Sequence, residues 1–126
     1  MQTVLKVMVF LIGGLFLLLG LSGMFTPEGF ASSLGLEVAN PEGAGTVRAM
    51  IGAHYVAMGA VCFYAVIQRT PVLLLPVAAI EAVMVLARGL AAVNGEFSAA
   101  TMVPTTIEII AAAVLVSAAM KLPKAQ

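Results

Sequence analysis

The chain has 126 residues, 62% hydrophobic and 10% charged, with six Lys or Arg balanced by six acidic residues for a net charge of zero. Soluble domains carry about a quarter charged residues, so a mean hydropathy of +1.12 identifies lipid, not water, as the solvent for most of this chain. The absence of a basic stripe or stacking aromatic platform excludes nucleic acid as a partner. A single cysteine, Cys62, excludes an internal disulfide.

The first apolar run, 4–25, is interrupted only by Lys6, whose long side chain can snorkel to the headgroups. Its Lys-then-apolar opening also fits a secretory signal peptide with Leu21-Ser22-Gly23 at the cleavage site; the expectation here is a retained helix. Residues 26–45 form an outer loop broken by Pro27, Gly29, Gly35, Pro41, Gly43 and Gly45. Within it, 30–36 predicts a short amphipathic turn at the membrane surface, and Asn40-Pro41-Glu42-Gly43 a turn feeding the second span. That span covers 46–67 and the third 71–93. Only Gln68-Arg69-Thr70 separates them, so they are antiparallel neighbours. Pro71 suits a first helical turn, whereas Pro76 predicts a kink or loosened first turns. Asn94-Gly95-Glu96 marks a tight turn. The fourth span, 100–120, has Pro104 in its first turn, where a missing N–H matters least.

These elements predict an all-α fold: one domain over 1–126, an antiparallel integral membrane four-helix bundle. Lys6, Arg69, Lys121 and Lys124 fall on one side of it, and Glu28, Glu37, Glu42 and Glu96 on the other. By the positive-inside rule the expected topology is N-in/C-in, with both termini cytoplasmic.

Five ionisable residues remain inside the spans: Arg48, His54, Glu81, Arg88 and Glu108. At about 1.5 Å per residue, Arg48 sits roughly 3 Å below the outer helix ends, Arg88 roughly 6 Å and Glu108 about 10 Å. His54 follows at about 12 Å and Glu81 at about 16 Å, near mid-bilayer. All five lie in the outer half or at the midplane, and none belongs to the first span. An unpaired charge at the bilayer centre costs about 2.5–3.5 kcal/mol, so pairing is expected. Arg88 and Glu108 match in depth and form the first expected pair. His54 with Glu81 is the second, and Arg48 is expected to meet Glu42, Glu96 or a lipid headgroup. Arg48, Gly52, Tyr55 and Gly59 share a stripe on the second helix, with small residues where a neighbour approaches closely. His54 points about 120° away from it. Thr101, Pro104, Thr105 and Glu108 share a stripe on the fourth helix.

The five form a candidate ligand or ion-pair cluster, with Tyr55 and Thr105 as candidate pocket lining. With one histidine and two membrane-embedded Glu, the chain offers a poor transition-metal site, and no metal is assigned. Phosphate-loop, dinucleotide and nucleophile-elbow motifs are missing, so no cofactor is assigned either. The alanine-rich fourth span permits close helix packing or dimerisation.

A Pro-Glu-containing outer loop ending near Asn40, then Arg48-Ala49 and Gly52-Ala53 opening the second span, form the first part of a known pattern. Arg88 on the third helix, Asn94-Gly95 where an Asp-Gly turn is expected, and Glu108 on the fourth complete it. In these features the chain resembles the domain of unknown function 4345 family of small bacterial membrane proteins, over nearly its whole length. The DoxX-type four-helix proteins are a more distant architectural likeness. The resemblance implies a four-helix membrane fold in the bacterial inner (cytoplasmic) membrane, and no activity.

Three functional classes stay open. The leading expectation is a non-catalytic binding or accessory component that takes a small amphiphilic ligand or lipid, or stabilises a larger membrane complex or homodimer. The alternative is a small proton-coupled transporter with Glu81 and Glu108 as titrating groups. Third comes a membrane enzyme using Glu81 or His54 as general base on a lipid-soluble substrate.

Overall fold

The first helix, α1 (Gln2–Phe25), has no side-chain cap at its N-terminus, and at its other end the Thr26 hydroxyl donates to the Ser22 carbonyl at 2.9 Å. In lipid a backbone must satisfy its polar groups within itself, and a helix does so in one segment. The computed structural model describes residues 1–124, with the backbone alone at Ala100, and these residues form helices and turns with no strand. After one intervening residue comes α2 (Pro27–Ser33), which begins with Pro27 where no N–H is needed. Three long helices follow: α3 (Pro41–Ile67), α4 (Pro71–Val93) and α5 (Ala99–Lys121). α1, α3, α4 and α5 are each long and apolar enough to cross a membrane. Leu11, Leu18, Leu86, Val93 and Met120 all stand exposed on their outer faces. That apolar exterior is the pattern of a multi-pass membrane protein.

Several boundaries differ from the sequence expectation. The helix of the second span starts at Pro41, not at 46, because Asn40 acts as N-cap: its side-chain oxygen accepts the Gly43 N–H at 2.8 Å. The apparent turn Asn40-Pro41-Glu42-Gly43 is thus a capped first helical turn. The short surface element is a helix over Pro27–Ser33 rather than a turn over 30–36. Within α3, Val47–Gly52 is π-helical, so Ala53 N–H bonds the carbonyl of Arg48. Pro76 lies behind a 3₁₀ turn, Pro71–Leu73, inside the first α-helical turn from Leu74. There its missing N–H leaves no carbonyl unsatisfied. Pro104, by contrast, sits inside α5, which begins at Ala99; it is past the first turn and removes one hydrogen bond from the ladder.

Two antiparallel pairs make the bundle. α1 packs chiefly on α3 and α4 chiefly on α5, while α1 also touches α5 and α3 touches α4 lightly. Glycines set the first pair. A Cβ on Gly20 would lie 2.5 Å from the Val56 backbone nitrogen, one on Gly59 2.7 Å from the Gly13 carbonyl oxygen, and one on Gly52 2.7 Å from the Met24 nitrogen. Helices that share a solvent as apolar as their side chains associate by close van der Waals contact, which these glycines permit. At one end of the interface the Phe10 and Phe63 rings meet at a tilt of 56°, their centroids 5.2 Å apart.

The main core joins Val9 and Phe16 of α1, Met58 and Cys62 of α3, Leu74 and Val77 of α4, and Ala111, Leu115 and Ala118 of α5. A smaller cluster of Phe30, Ala31 and Val47 holds α2 against α1 and α3. Between these two clusters the bundle is not filled.

Candidate functional site

Where the clusters meet lies a cavity of about 270 Å³. Phe16 and Leu19 of α1, Tyr55 of α3, Glu81 of α4, and Val103, Pro104, Ile107 and Glu108 of α5 form its walls, with Phe30, Ser33 and Leu34 from α2. One water needs about 10–15 Å³ of such space, so the cavity has room for far more than a single solvent molecule. Its lining is apolar and aromatic, with a few convergent polar groups, as in sites for small ligands.

Glu81 and Glu108 are 1% and 4% exposed, the two buried charged side chains among the described residues. The helix period explains Glu81: Leu74, Val77, Ala78 and Glu81 share the buried face of α4, so the carboxyl continues a core stripe. Glu108 precedes Ala111, Leu115 and Ala118 on the buried face of α5 in the same manner. Arg88 Nη2 lies 3.4 Å from Glu108 Oε1, the pairing expected from matched depth. Arg88 makes this contact from a separate groove formed with Met84, Ala87 and Ala91. Glu108 therefore separates two spaces, meeting the guanidinium on one side and the cavity on the other. Its second oxygen, Oε2, and Oε1 of Glu81 are buried without a hydrogen-bond partner among the described residues. Buried polar atoms are nearly always paired, so orphaned carboxylate oxygens on two residues that line one cavity mark this place chemically.

The remaining candidates are dispersed. Tyr55 lines the cavity and touches both Phe16 and Phe30, with ring centroids 5.8 and 6.5 Å away. Thr105 does not line it; its hydroxyl donates to the Thr101 carbonyl at 2.7 Å. His54 does not pair with Glu81. It is exposed on the outer side of α3, beside Ala79, Ile80, Val83 and Met84 of α4. Nor does Arg48 bond Glu42 or Glu96: its guanidinium donates to the Met24 carbonyl near the end of α1. The last carbonyls of a helix lack intrahelical partners and carry its negative dipole end, so a cation belongs there. Arg48, Gly52, Tyr55 and Gly59 do share one face, which packs on α1 and α2.

Sequence reasoning missed the contributions of α1 and α2. The first helix looked uninvolved for want of charges, yet Phe16 and Leu19 supply a wall. Its signal was the spacing of Gly13, Gly20 and Gly23, which fits Gly52 and Gly59 opposite. Among the described residues no three His, Cys, Asp or Glu side chains gather as a metal site. Neither protein-family models nor curated proteins nor solved structures provide a match to this chain.

Proposed function

We propose that this is a non-catalytic binding component of the bacterial inner membrane that holds a small amphiphile between the bundle and α2, its polar end at Glu81 and Glu108. One observation carries the proposal: two buried carboxyl groups with orphaned oxygens line a mainly apolar cavity roofed by a separate short helix. A purely structural pair would not need the space, and a purely apolar pocket would not need the carboxyls. Membership of the domain of unknown function 4345 family belongs to the same proposal and rests on Arg48-Ala49, Gly52-Ala53, Arg88 and Glu108. So does the N-in/C-in topology, which puts the cavity in the outer half of the bilayer.

The test is to purify the protein in a mild detergent and extract small amphiphiles for mass spectrometry, with an Ile107→Trp variant in parallel. A bound species present in wild type and lost when the indole fills the cavity is the expected result. A protein of native stability that carries nothing in either form counts against the proposal.

The unequal count of two carboxyls and one guanidinium also favours a second reading, proton-coupled transport, because a carboxyl without a fixed counter-ion can carry a proton. In liposomes that reading requires flux that Glu81→Gln and Glu108→Gln abolish while the fold survives.

A further inference from the structure

We infer that the amphiphile held in this cavity carries an organic ammonium head, which sits between Glu81 and Glu108 against the aromatic wall. The inference rests on the cavity being a binding site and adds the chemistry of what enters it. The cavity lining contains two carboxyl groups and no cationic side chain. Arg88 answers one oxygen of Glu108 from the opposite groove and does not reach the lining. One carboxylate's worth of charge is left without a cation, and Glu81 Oε1 and Glu108 Oε2 have no hydrogen-bond partner among the described residues. An ammonium supplies one positive charge, which matches the uncompensated carboxylate, and N–H donors for the carboxyl oxygens. The same wall presents Phe16, Phe30 and Tyr55, two ring pairs meeting at Tyr55 with centroids 5.8 and 6.5 Å apart. Aromatic faces grouped in this way favour a desolvated cation. An anionic head would face two carboxyls with no cation in the lining, and a neutral hydroxyl would leave the charge unanswered. The apolar side chains Leu19, Val103 and Ile107 suit the tail.

The experiment compares decylamine, decanol and decanoate, three probes with one tail, by native mass spectrometry of the purified protein in a nonionic detergent. Decylamine is expected to bind at least about tenfold tighter than decanol, the size of a charge-assisted hydrogen bond, with decanoate weakest. Glu81→Gln and Glu108→Gln should each cost decylamine about tenfold more than they cost decanol. Equal binding of decylamine and decanol by wild type, or tighter binding of decanoate, overturns the ammonium assignment even if neither Gln variant folds. The Ile107→Trp variant separates this failure from failure of the cavity itself. If it excludes decanol while decylamine shows no preference, the cavity binds but the head-group chemistry is wrong. If no probe binds, or all bind regardless of the indole, both readings fall. Displacement of decylamine by dihexanoyl phosphatidylethanolamine identifies a lipid headgroup as the source of the ammonium; failure to displace identifies a free amine.

Discussion

Arg88 is the residue on which the buried charge of Glu108 depends. It is about a third exposed and its partner almost fully buried, so the pair is partly screened by its surroundings. Arg88→Met is expected to destabilise the protein in detergent by about 1–3 kcal/mol, the penalty for leaving a buried acceptor unmatched. Adding Glu108→Gln should recover most of the loss; denaturant titration of the single and double variants measures both, and strict additivity would show that the two side chains are not coupled. The pair was legible in sequence because depth follows from residue count. The facing of His54 was not: depth places a residue along a helix but not around the bundle, and His54 turned out to point away from Glu81. Backbone conformation is decided at this scale too. Gly95 closes α4 with φ 75°, and the next N–H, from Glu96, bonds the Ala91 carbonyl at 2.9 Å. Gly95→Ala should lower stability by about 1 kcal/mol, since an L side chain resists that region. An unchanged midpoint would contradict the geometry.

Among elements, the α1–α3 contact makes the sharpest demand on sequence. Gly20→Ala and Gly59→Ala would each push a methyl to within 2.7 Å of backbone that cannot swing aside. Losses of about 1–3 kcal/mol are expected for each, as for an overpacked core. Gly89→Ala meets nothing within 4 Å and lies inside α4, so it should be neutral or stabilise by up to about 1 kcal/mol. The opposite signs make the comparison decisive: if all three variants behave alike, the helices do not pack on these glycines. Gly52 and Gly59 were readable as a close-packing stripe, but the identity of the helix they receive was not. Periodicity describes one helix at a time, and a mate requires a second surface of matching spacing. The α2 roof was hidden for a related reason, since its few apolar residues acquire meaning only where Phe30 and Ala31 meet α1 and α3.

At the scale of the whole molecule the charge asymmetry and the bundle agree. Four helices that alternate in direction bring Lys6, Arg69, Lys121 and Lys124 to one end and the segment 26–45 to the other. With the basic end cytoplasmic, a cysteine at Ser32, exposed in α2, should react with a membrane-impermeant maleimide in intact cells. One at Gln68, in the tight turn between α3 and α4, should react only after lysis. Cys62 is fully buried and contributes little background. The reverse pattern would invert the topology and move the cavity to the cytoplasmic half.

By itself the sequence determined the helical class, the number of long apolar helices, the ends at which charges gather and the position of each ionisable group along its helix. All of these are one-dimensional quantities, set by composition, by the length of apolar runs and by the helical rise. Tertiary structure alone decided which side chains face one another. It set Glu81 and Glu108 on one cavity wall, turned His54 outward, gave Arg48 to the end of α1 and brought Phe16 and Phe30 to the same opening. Rotation of a helix about its axis is fixed by packing against its neighbours, and here that packing is set by where glycines let two backbones meet.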